Sequence, residues 1–407
     1  MQTWKRTMWI LWEGVLLCSA SYTMAVPFLP LFLFELGVSK SSVNLWAGIV
    51  HSSAFLVGAV MAPFWGSMAD KYGKRKMVIR AGISLAIIYA LIAAVQSPWQ
   101  LMAVRMLHGF VGGFVPASMA IVASVAPRDK MGWSLGIMQA GTMTGGILGP
   151  FFGGLLATAF GQRMSFVVAG AIILTATLAV IFWVREGHTR TGGNKSTYWG
   201  NFKLVISSPT LRNLLLLLLV FQIAYNMIQP LLTLHIADLQ GNVRDAVLTS
   251  GYVFSLIGIA GIIASPLWGR AGERLGYMRM LSFCLAGSGL VVCFQYFVDQ
   301  LWLFTFVQFV FGLFIAGIAP TVNTLFVQST PEEFRGRSFG LTASANQLGS
   351  MAGPLIGGGL GLFLGIHWIF VTSGMILSLA GLLIMMQGLS ARKKRTMVRY
   401  TVDRNVE

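Results

Sequence analysis

The chain has 407 residues, of which 56% are hydrophobic and only 10% charged, and its formal net charge is +16. Soluble globular proteins carry roughly 25% charged residues, so this composition excludes an ordinary soluble enzyme. The apolar residues form twelve runs, each long enough to cross ~30 Å of hydrocarbon as an α-helix. The sequence therefore predicts an all-α membrane protein with twelve transmembrane helices.

The predicted transmembrane helices, here called spans 1 to 12, fall into two sets of six. They lie near residues 8–34, 44–66, 77–96, 99–124, 133–158, 164–185, 210–236, 247–268, 279–298, 301–328, 337–362 and 367–389. The longest polar connection follows span 6; it is basic and contains glycine, as expected of a linker between two bundles. This division predicts an N-terminal six-helix bundle at 1–185, a cytoplasmic linker at 186–209, a C-terminal six-helix bundle at 210–390 and a cytoplasmic tail at 391–407.

The basic residues lie almost all on one predicted side of the membrane. They cluster in the termini, the linker and the loops after spans 2, 4, 8 and 10, whereas the opposite side carries only Lys40, Arg163 and Arg244. Because cytoplasmic loops are enriched in Lys and Arg, both termini are predicted to be cytoplasmic. Topology and attraction to anionic lipid account for the charge without a nucleic-acid partner. The three cysteines lie inside apolar runs and indicate neither a disulfide framework nor a metal site.

An internal repeat relates the two sets of spans. The segment GSMADKYGKR at 66–75 recurs in degenerate form as GRAGERLGYM at 269–278, 203 positions later, and the preceding APFWG recurs as SPLWG. Further matches, such as Pro27 with Pro230 and Trp99 with Trp302, follow the same offset. Two parallel halves about an axis normal to the membrane favour a rocking transporter with its site at the midplane between them.

The repeated segment carries the strongest motif. The residues of 66–75 resemble the signature loop G-x-L-A-D-R-x-G-R-K of the major facilitator superfamily, with mild departures at Met68 and at Lys74-Arg75. We expect this segment to form the cytoplasmic turn after span 2, with Asp70 at a helix N-terminus. The resemblance implies that the loop latches one half of the protein to the other in one conformation, through Gly66, Asp70, Gly73 and Arg75, with Gly269 and Glu273 in the second copy.

Span 4 carries a charge inside an apolar run. Arg105, His108 and Gly109 lie on one helical face in a segment that resembles the family's R-x-x-x-G motif. A charge inside a membrane helix is costly and indicates a function. Two alternatives are that Arg105 pairs with a backbone carbonyl to hold helices together and that His108 is a neutral, hydrogen-bonded histidine.

Span 5 carries a second family element. Its residues fit G-x-x-x-G-P-x-x-G-G, the motif that marks antiporters within the superfamily, at Gly145, Gly149, Pro150, Gly153 and Gly154. Glycines at four-residue spacing also allow close helix contact, and span 11 repeats the pattern. With the prolines of VPFLPLF in span 1, the chain resembles over nearly its whole length the MdtG-like branch of the bacterial twelve-span drug:proton antiporters.

Polar membrane residues that the repeat does not copy are the better candidates for chemistry. Glu13 is the one acidic residue clearly inside a predicted span, and its counterpart is Leu216. A carboxylate buried there could bind and release a proton. The alternative is a carboxylate that reaches the cytoplasmic surface and has no role in proton coupling. We therefore predict a proton-coupling group of Glu13, Arg105 and His108.

Substrate contacts are predicted where polar or aromatic side chains stand in apolar spans. The candidates, from spans 1, 5, 7 and 11, are Tyr22, Met24, Gln139, Tyr225, Asn226 and Asn346. Methionine and aromatic linings suit varied lipophilic ligands. Glu35 and Asp238, at equivalent outer ends of spans 1 and 7, are interpreted either as an outer gate or as ordinary solvated helix ends.

The resemblance implies a transporter rather than an enzyme: a proton-coupled multidrug efflux antiporter that confers antibiotic resistance. It would act as a monomer in the bacterial cytoplasmic membrane, with lipophilic compounds and protons as ligands. No P-loop, metal or cofactor motif is present, so the proton gradient is the expected energy source. The alternatives are a proton symporter for a small metabolite, an exporter of one endogenous amphiphile, and a membrane sensor with this fold.

Overall fold

The computed structural model describes residues 3–127, 130–184, 208–330 and 335–404, with side chains except at 3, 70, 244, 327, 335–341 and 387–404. Every regular element in these ranges is an α-helix or a short 3₁₀ helix. Twelve helical segments are long and apolar enough to cross a membrane. The predicted all-α fold with twelve spans is therefore confirmed.

Eight spans are single helices and four are broken in two. The unbroken spans 2, 3, 5, 6, 8, 9, 11 and 12 are Val43–Tyr72, Lys74–Ala94, Met131–Phe160, Gln162–Trp183, Val243–Leu275, Tyr277–Phe294, Arg335–Leu364 and Ile366–Arg404. The broken spans 1, 4, 7 and 10 are Thr3–Ala25 with Leu29–Glu35, Pro98–Val111 with Phe114–Val125, Pro209–Ile228 with Leu232–Gln240, and Leu301–Ile315 with Ile318–Gln328.

The breaks have local causes. In span 1, Pro27 lies in a 3₁₀ turn, and a proline cannot donate the backbone hydrogen bond that would continue the helix. In span 4, Gly113 has φ +118°, a conformation that favours glycine. The breaks fall in spans 1, 4, 7 and 10, which are equivalent positions of the two halves.

The signature segment differs from its predicted form as a turn. Span 2 continues as a helix through Tyr72, and only Gly73, with φ +99°, separates it from span 3. Asp70 therefore lies in the last turn of span 2 and not at a helix N-terminus. Gly276, the equivalent of Gly73 in the second half, has φ +92° and separates spans 8 and 9 in the same way. One glycine suffices because its missing Cβ permits the reversal.

Two other predicted segments fall wholly or partly beyond what the structure describes. The linker predicted at 186–209 lies outside the described residues as far as 207. Residues 391–404 of the predicted tail continue the helix Ile366–Arg404. The side chains of these residues are not described.

Spans 1 to 6 and spans 7 to 12 are here called the N-terminal and C-terminal halves. Within them span 1 packs on span 5 and span 7 packs on span 11, and between them span 2 contacts span 11 and span 5 contacts span 8. Because the number of spans is even, both termini lie at one face, here called the inner face. The other is the outer face.

The two halves meet toward the outer face. Lys40 Nζ lies 2.7 Å from Asp238 Oδ1, and Asn44 Nδ2 donates a hydrogen bond to the Gly361 carbonyl at 3.1 Å. Nearer the midplane, Ser255 Oγ donates to the Ile147 carbonyl at 2.6 Å. A Cβ built on Gly66, Gly132, Gly136 or Gly269, all toward the inner face, would meet no described atom within 4 Å. Among the described residues, the contacts that join the halves lie from the midplane to the outer face, as in a conformation that is closed on the outer side.

Candidate transport site

The predicted Arg105–His108 pair lies in the core of the N-terminal half. Arg105 is completely buried, and its Nη1 is 3.4 Å from His108 Nδ1. The rings of Tyr22 and Tyr89 lie edge-on to His108, at centroid distances of 5.8 and 5.6 Å. Spans 1, 3 and 4 thus converge on one polar cluster, in which Tyr22 was predicted as a substrate contact and Tyr89 was not predicted.

Arg105 is a buried cation with little compensation. Among the described residues, its Nε and Nη2 have no hydrogen-bond partner. The ion pair between Lys40 and Asp238 lies elsewhere, at the outer face. Placing an uncompensated cation in a protein interior is costly, which favours a functional reason for it. The alternative, a bond from Arg105 to a backbone carbonyl, is not seen among the described contacts.

Glu13 is placed differently from the buried carboxylate considered above. Its side chain is exposed, on span 1 between the inner face and the cluster. No hydrogen bond or ion pair of the described residues joins Glu13 to Arg105 or His108. Of the two alternatives for Glu13, the structure shows the exposed carboxylate and not the buried one. Its part in proton coupling stays a prediction.

The repeat places a counterpart of this cluster in the C-terminal half. Tyr225, equivalent to Tyr22, stacks on Phe311, equivalent to His108, at a centroid distance of 6.4 Å. Gln308 replaces Arg105 and pairs with Gln295 at 3.3 Å. The aromatic contact is kept in both halves, whereas the ionisable pair is present in one. Comparing positions 203 apart identifies this relationship from the sequence.

The other predicted substrate residues fall into two groups. Gln139 is exposed on span 5 and available to a ligand. Met24, by contrast, is buried, and its backbone packs on Gly153. Met24 is thus a packing residue in this conformation, because close glycine contact draws span 1 onto span 5.

The two predicted asparagines belong to an amide network. Gln222 Nε2 donates to Asn346 Oδ1 at 2.8 Å, and Asn226 Nδ2 donates to the Gln222 carbonyl at 2.8 Å. The network joins span 7 to span 11 and satisfies much of the hydrogen-bonding capacity of both asparagines. Gln222 was not predicted; an amide in an apolar helix is the signal that could have identified it.

The glycines of the span 5 motif have two different neighbours. A Cβ on Gly145, Gly149 or Gly153 would collide with span 1, mostly with its backbone. Gly154 and Pro150 instead face Gly251 of span 8. One face of the motif therefore packs on span 1 of the same half, and the adjacent face packs on span 8 of the other half.

Two basic residues of the signature segment contact other spans of the same half. Arg75 Nη2 donates to the Ile181 carbonyl of span 6 at 2.6 Å, and Lys74 Nζ donates to the Ala120 carbonyl of span 4 at 3.2 Å. Glu273 of the second copy is exposed, as is Gly269. The Asp70 side chain lies outside the described residues.

Arg80 in span 3 is a membrane cation that was not predicted. Its guanidinium lies 3.4 Å from the centroid of the Trp65 ring, and its Nη2 donates to the Gly112 carbonyl at 2.9 Å. It thereby fixes the break in span 4 against span 2. The equivalent residue of the repeat is Phe283, so a charge that the repeat does not copy is again the signal.

Asp238, one of the two acidic residues considered for an outer gate, pairs with Lys40 of the other half. The hydrogen bond from Lys40 to Asp238, together with the carboxylate charge, raises the pKa of Lys40 above its ordinary value. A sequence signal is weak here, because Lys40 lies in a loop.

Comparison with known proteins agrees with this geometry. Residues 11–270 and 238–397 match the model of the Major Facilitator Superfamily. The multidrug resistance protein MdtG of Salmonella paratyphi A is 34% identical over 377 residues, which are 92% of this chain and 93% of that protein. MdtG of Citrobacter koseri is also 34% identical over 377 residues, with the same coverage of each chain.

Two solved structures share the fold. A variant of the nucleoside transporter NupG has a TM-score of 0.80 at 13% identity, covering 93% of this chain and 99% of that chain. The human organic anion transporter MFSD10 has a TM-score of 0.69 at 18% identity, covering 94% and 100%. With twelve apolar spans, a repeated signature segment and full-length relatives, the chain is an integral membrane transporter that belongs to the major facilitator superfamily.

Proposed function

We propose that the protein is a proton-coupled antiporter that exports lipophilic, drug-like compounds across the bacterial cytoplasmic membrane. The observation that carries this proposal is the buried Arg105–His108 pair, which the repeat does not copy. The antiporter glycine motif and the similarity to proteins named for multidrug resistance support the direction and the class of substrate.

Substrate would enter from the cytoplasm through the open inner side. Tyr22 and Tyr225, at equivalent places in the two halves, offer aromatic faces, and Gln139 offers an exposed amide. Such a lining binds apolar bodies of varied shape while requiring few specific polar groups. Lipophilic compounds fit this lining better than a polar metabolite.

Proton binding would be exclusive with substrate binding. A proton taken up from outside binds a carboxylate oxygen of Glu13 or a ring nitrogen of His108 and is released to the cytoplasm after the halves rock. Arg105 keeps its charge throughout. Tyr22 contacts His108, so a ligand on Tyr22 and a proton on His108 influence each other directly. The gradient alone supplies the energy, with no cofactor.

The moving parts in this proposal are the bundles 1–185 and 210–390, linked by 186–209 in one monomer with both termini cytoplasmic. The outward step breaks the Lys40–Asp238 contact and brings the inner ends together. Asp70 and Arg75 of the signature segment then latch that state, as they are expected to do across the family.

The test is substrate-dependent proton movement in proteoliposomes with an imposed pH gradient and a lipophilic cation as probe. Glu13→Gln, His108→Gln and Arg105→Ala are compared with wild type and with His235→Gln, a buried histidine outside the cluster. Loss of coupled export in the cluster variants, with export kept in His235→Gln, supports the proposal. Entry of a polar solute together with protons would establish the symporter instead, and export of a single amphiphile would restrict the substrate class.

A further inference from the structure

A cavity in the C-terminal half lies away from the Arg105–His108 cluster. It has a volume of about 1220 Å³ and lies among the inner ends of spans 8, 9, 10 and 12. Its wall is largely apolar and includes Met278, Phe283, Ala286, Leu325, Leu382 and Met385. Phe283, Leu382 and Met385 are exposed, so the cavity opens sideways from the bundle as a groove. We call this space the inner groove.

The inner groove is charged at its end nearest the inner face. Arg274 and Arg279 line it there and are both exposed, as are Glu273 and Gln328. Two guanidinium groups and one carboxylate leave an excess of positive charge. A long apolar wall with a basic end matches the shape and charge of a lipid with an anionic headgroup.

The N-terminal half shows how the equivalent space can be filled. There Lys74 and Arg75 reach from span 3 to carbonyls of spans 4 and 6, and Arg80 lies over the Trp65 ring. These three cations cross the crevice between the inner ends of the spans. In the N-terminal half, these three side chains therefore lie between the inner ends of the spans.

In the C-terminal half the three cations are replaced. The equivalent residues are Tyr277, Met278 and Phe283, and all three line the inner groove. Trp268 keeps the scaffold bond of its twin Trp65: its Nε1 donates to the Leu313 carbonyl at 2.6 Å, as Trp65 Nε1 donates to Phe110 at 2.5 Å. The backbone frame is thus the same in both halves, and the apolar replacements leave the space open.

We propose that the inner groove binds one anionic phospholipid of the inner leaflet. An acyl chain lies along the apolar wall between spans 9 and 12, and the phosphate pairs with Arg274 and Arg279. A guanidinium group can donate two parallel hydrogen bonds to the oxygens of one phosphate. Basic pockets between the inner ends of helices favour anionic headgroups. The site is separate from the Arg105–His108 cluster and does not depend on proton coupling or on the exported compound.

The test is lipid binding to the purified, delipidated full-length protein, followed by native mass spectrometry. Dioleoyl phosphatidylglycerol is compared with dioleoyl phosphatidylcholine, which has the same chains and no net charge. We expect about fivefold tighter binding of phosphatidylglycerol, because two arginines offset by one carboxylate leave one net positive charge. The double variant Arg274→Ala/Arg279→Ala should lose this preference. Arg212→Ala, which removes an exposed arginine at the inner end of span 7, should keep it.

Filling the inner groove tests the acyl-chain part of the proposal. Phe283→Arg restores the cation found at the equivalent N-terminal position, and Ala286→Trp fills the groove without adding charge. Each variant should lower the affinity for both lipids at least about tenfold. If Phe283→Arg does not fold, Ala286→Trp alone decides. Equal binding of the two lipids, an unchanged preference in the double variant, or an equal loss in Arg212→Ala would overturn the proposal. Binding of tetraphenylphosphonium in place of lipid, abolished by Ala286→Trp, would identify the occupant as an exported compound and also overturn it.

Discussion

Lys40 and Asp238 join the two halves of the protein at the outer face, with 2.7 Å between Nζ and Oδ1. Lys40 lies in the loop between spans 1 and 2, and Asp238 lies on the outer helix of span 7. In the proposed transport cycle this contact breaks, because the halves must separate on the outer side for substrate to leave. The ion pair therefore marks the closed state of the outer gate.

Replacing Asp238 with Asn should favour the outward-open state modestly. Both side chains are substantially exposed, at 81% for Lys40 and 42% for Asp238, and exposed ion pairs contribute about 0.2–1 kcal/mol. The population ratio should shift by no more than about fivefold. Distances between spin labels on the outer ends of spans 2 and 11 measure it. Lys40→Arg, which keeps the charge, is the control, and an identical shift in both variants would contradict the assignment.

The same pair predicts a pH dependence of outer closure. Because Asp238 raises the pKa of Lys40 in the closed state, the contact is fully present below the ordinary lysine pKa and weakens as pH rises through the raised value. Closure should thus show no lysine-dependent change between about pH 6 and 9 and should loosen above about pH 10.4. The spin-label distances, recorded against pH, test this. Lys40→Gln should abolish the alkaline transition, and its persistence there would assign it to another group.

Two neighbouring glycines of span 5 should respond oppositely to alanine. In Gly149→Ala the new methyl group meets Thr23 and the backbone of Ala20, so we expect a loss of about 1–3 kcal/mol. In Gly146→Ala it meets nothing within 4 Å, so the change should be neutral or stabilising by up to about 1 kcal/mol. Thermal unfolding in one detergent measures both. Equal destabilisation by the two substitutions would show that stability depends on helix flexibility at these glycines and not on close contact with span 1.

His108→Phe copies the aromatic arrangement of the C-terminal half, where Phe311 stacks on Tyr225. The ring contacts with Tyr22 and Tyr89 can be kept, whereas Arg105 Nη1 loses its partner, so the free energy of unfolding should fall by about 1–3 kcal/mol. Proton-coupled export should nevertheless fall at least about tenfold, within the range for losing a proton-transferring group. Proteoliposome flux measures this. The matched change Phe311→Leu should lower stability more than coupling, and unaltered coupling in His108→Phe would remove His108 from the proton path.

The two equivalent tryptophans allow the Arg80 interaction to be measured. Trp65→Phe loses a hydrogen bond to the Phe110 carbonyl and weakens the contact with Arg80. Trp268→Phe loses the equivalent hydrogen bond to the Leu313 carbonyl and weakens the stacking on Phe314, but it has no arginine contact to lose. We expect Trp65→Phe to be more destabilising by about 0.5–2 kcal/mol. The measurement is thermal unfolding of both variants. In an Arg80→Phe background the two should converge, and a persistent difference would assign it to other contacts.

The number of spans and the internal repeat could be predicted from the sequence alone. Hydrophobic length and repetition are one-dimensional properties, and a bilayer admits few structures other than helices. Comparing positions 203 apart also separates Arg105 and His108 from the residues that both halves keep. The family signature added the direction and class of transport as expectations.

Only the tertiary structure decided which side chains meet. It turned Met24 onto Gly153, left Glu13 exposed, and joined Gln222 to Asn346 across 124 positions. It also brought Lys40 to Asp238 and left the inner groove open. These outcomes depend on the rotation of each helix about its axis and on how closely glycines let neighbouring helices approach. Both are set by packing over the whole bundle and not by any local pattern.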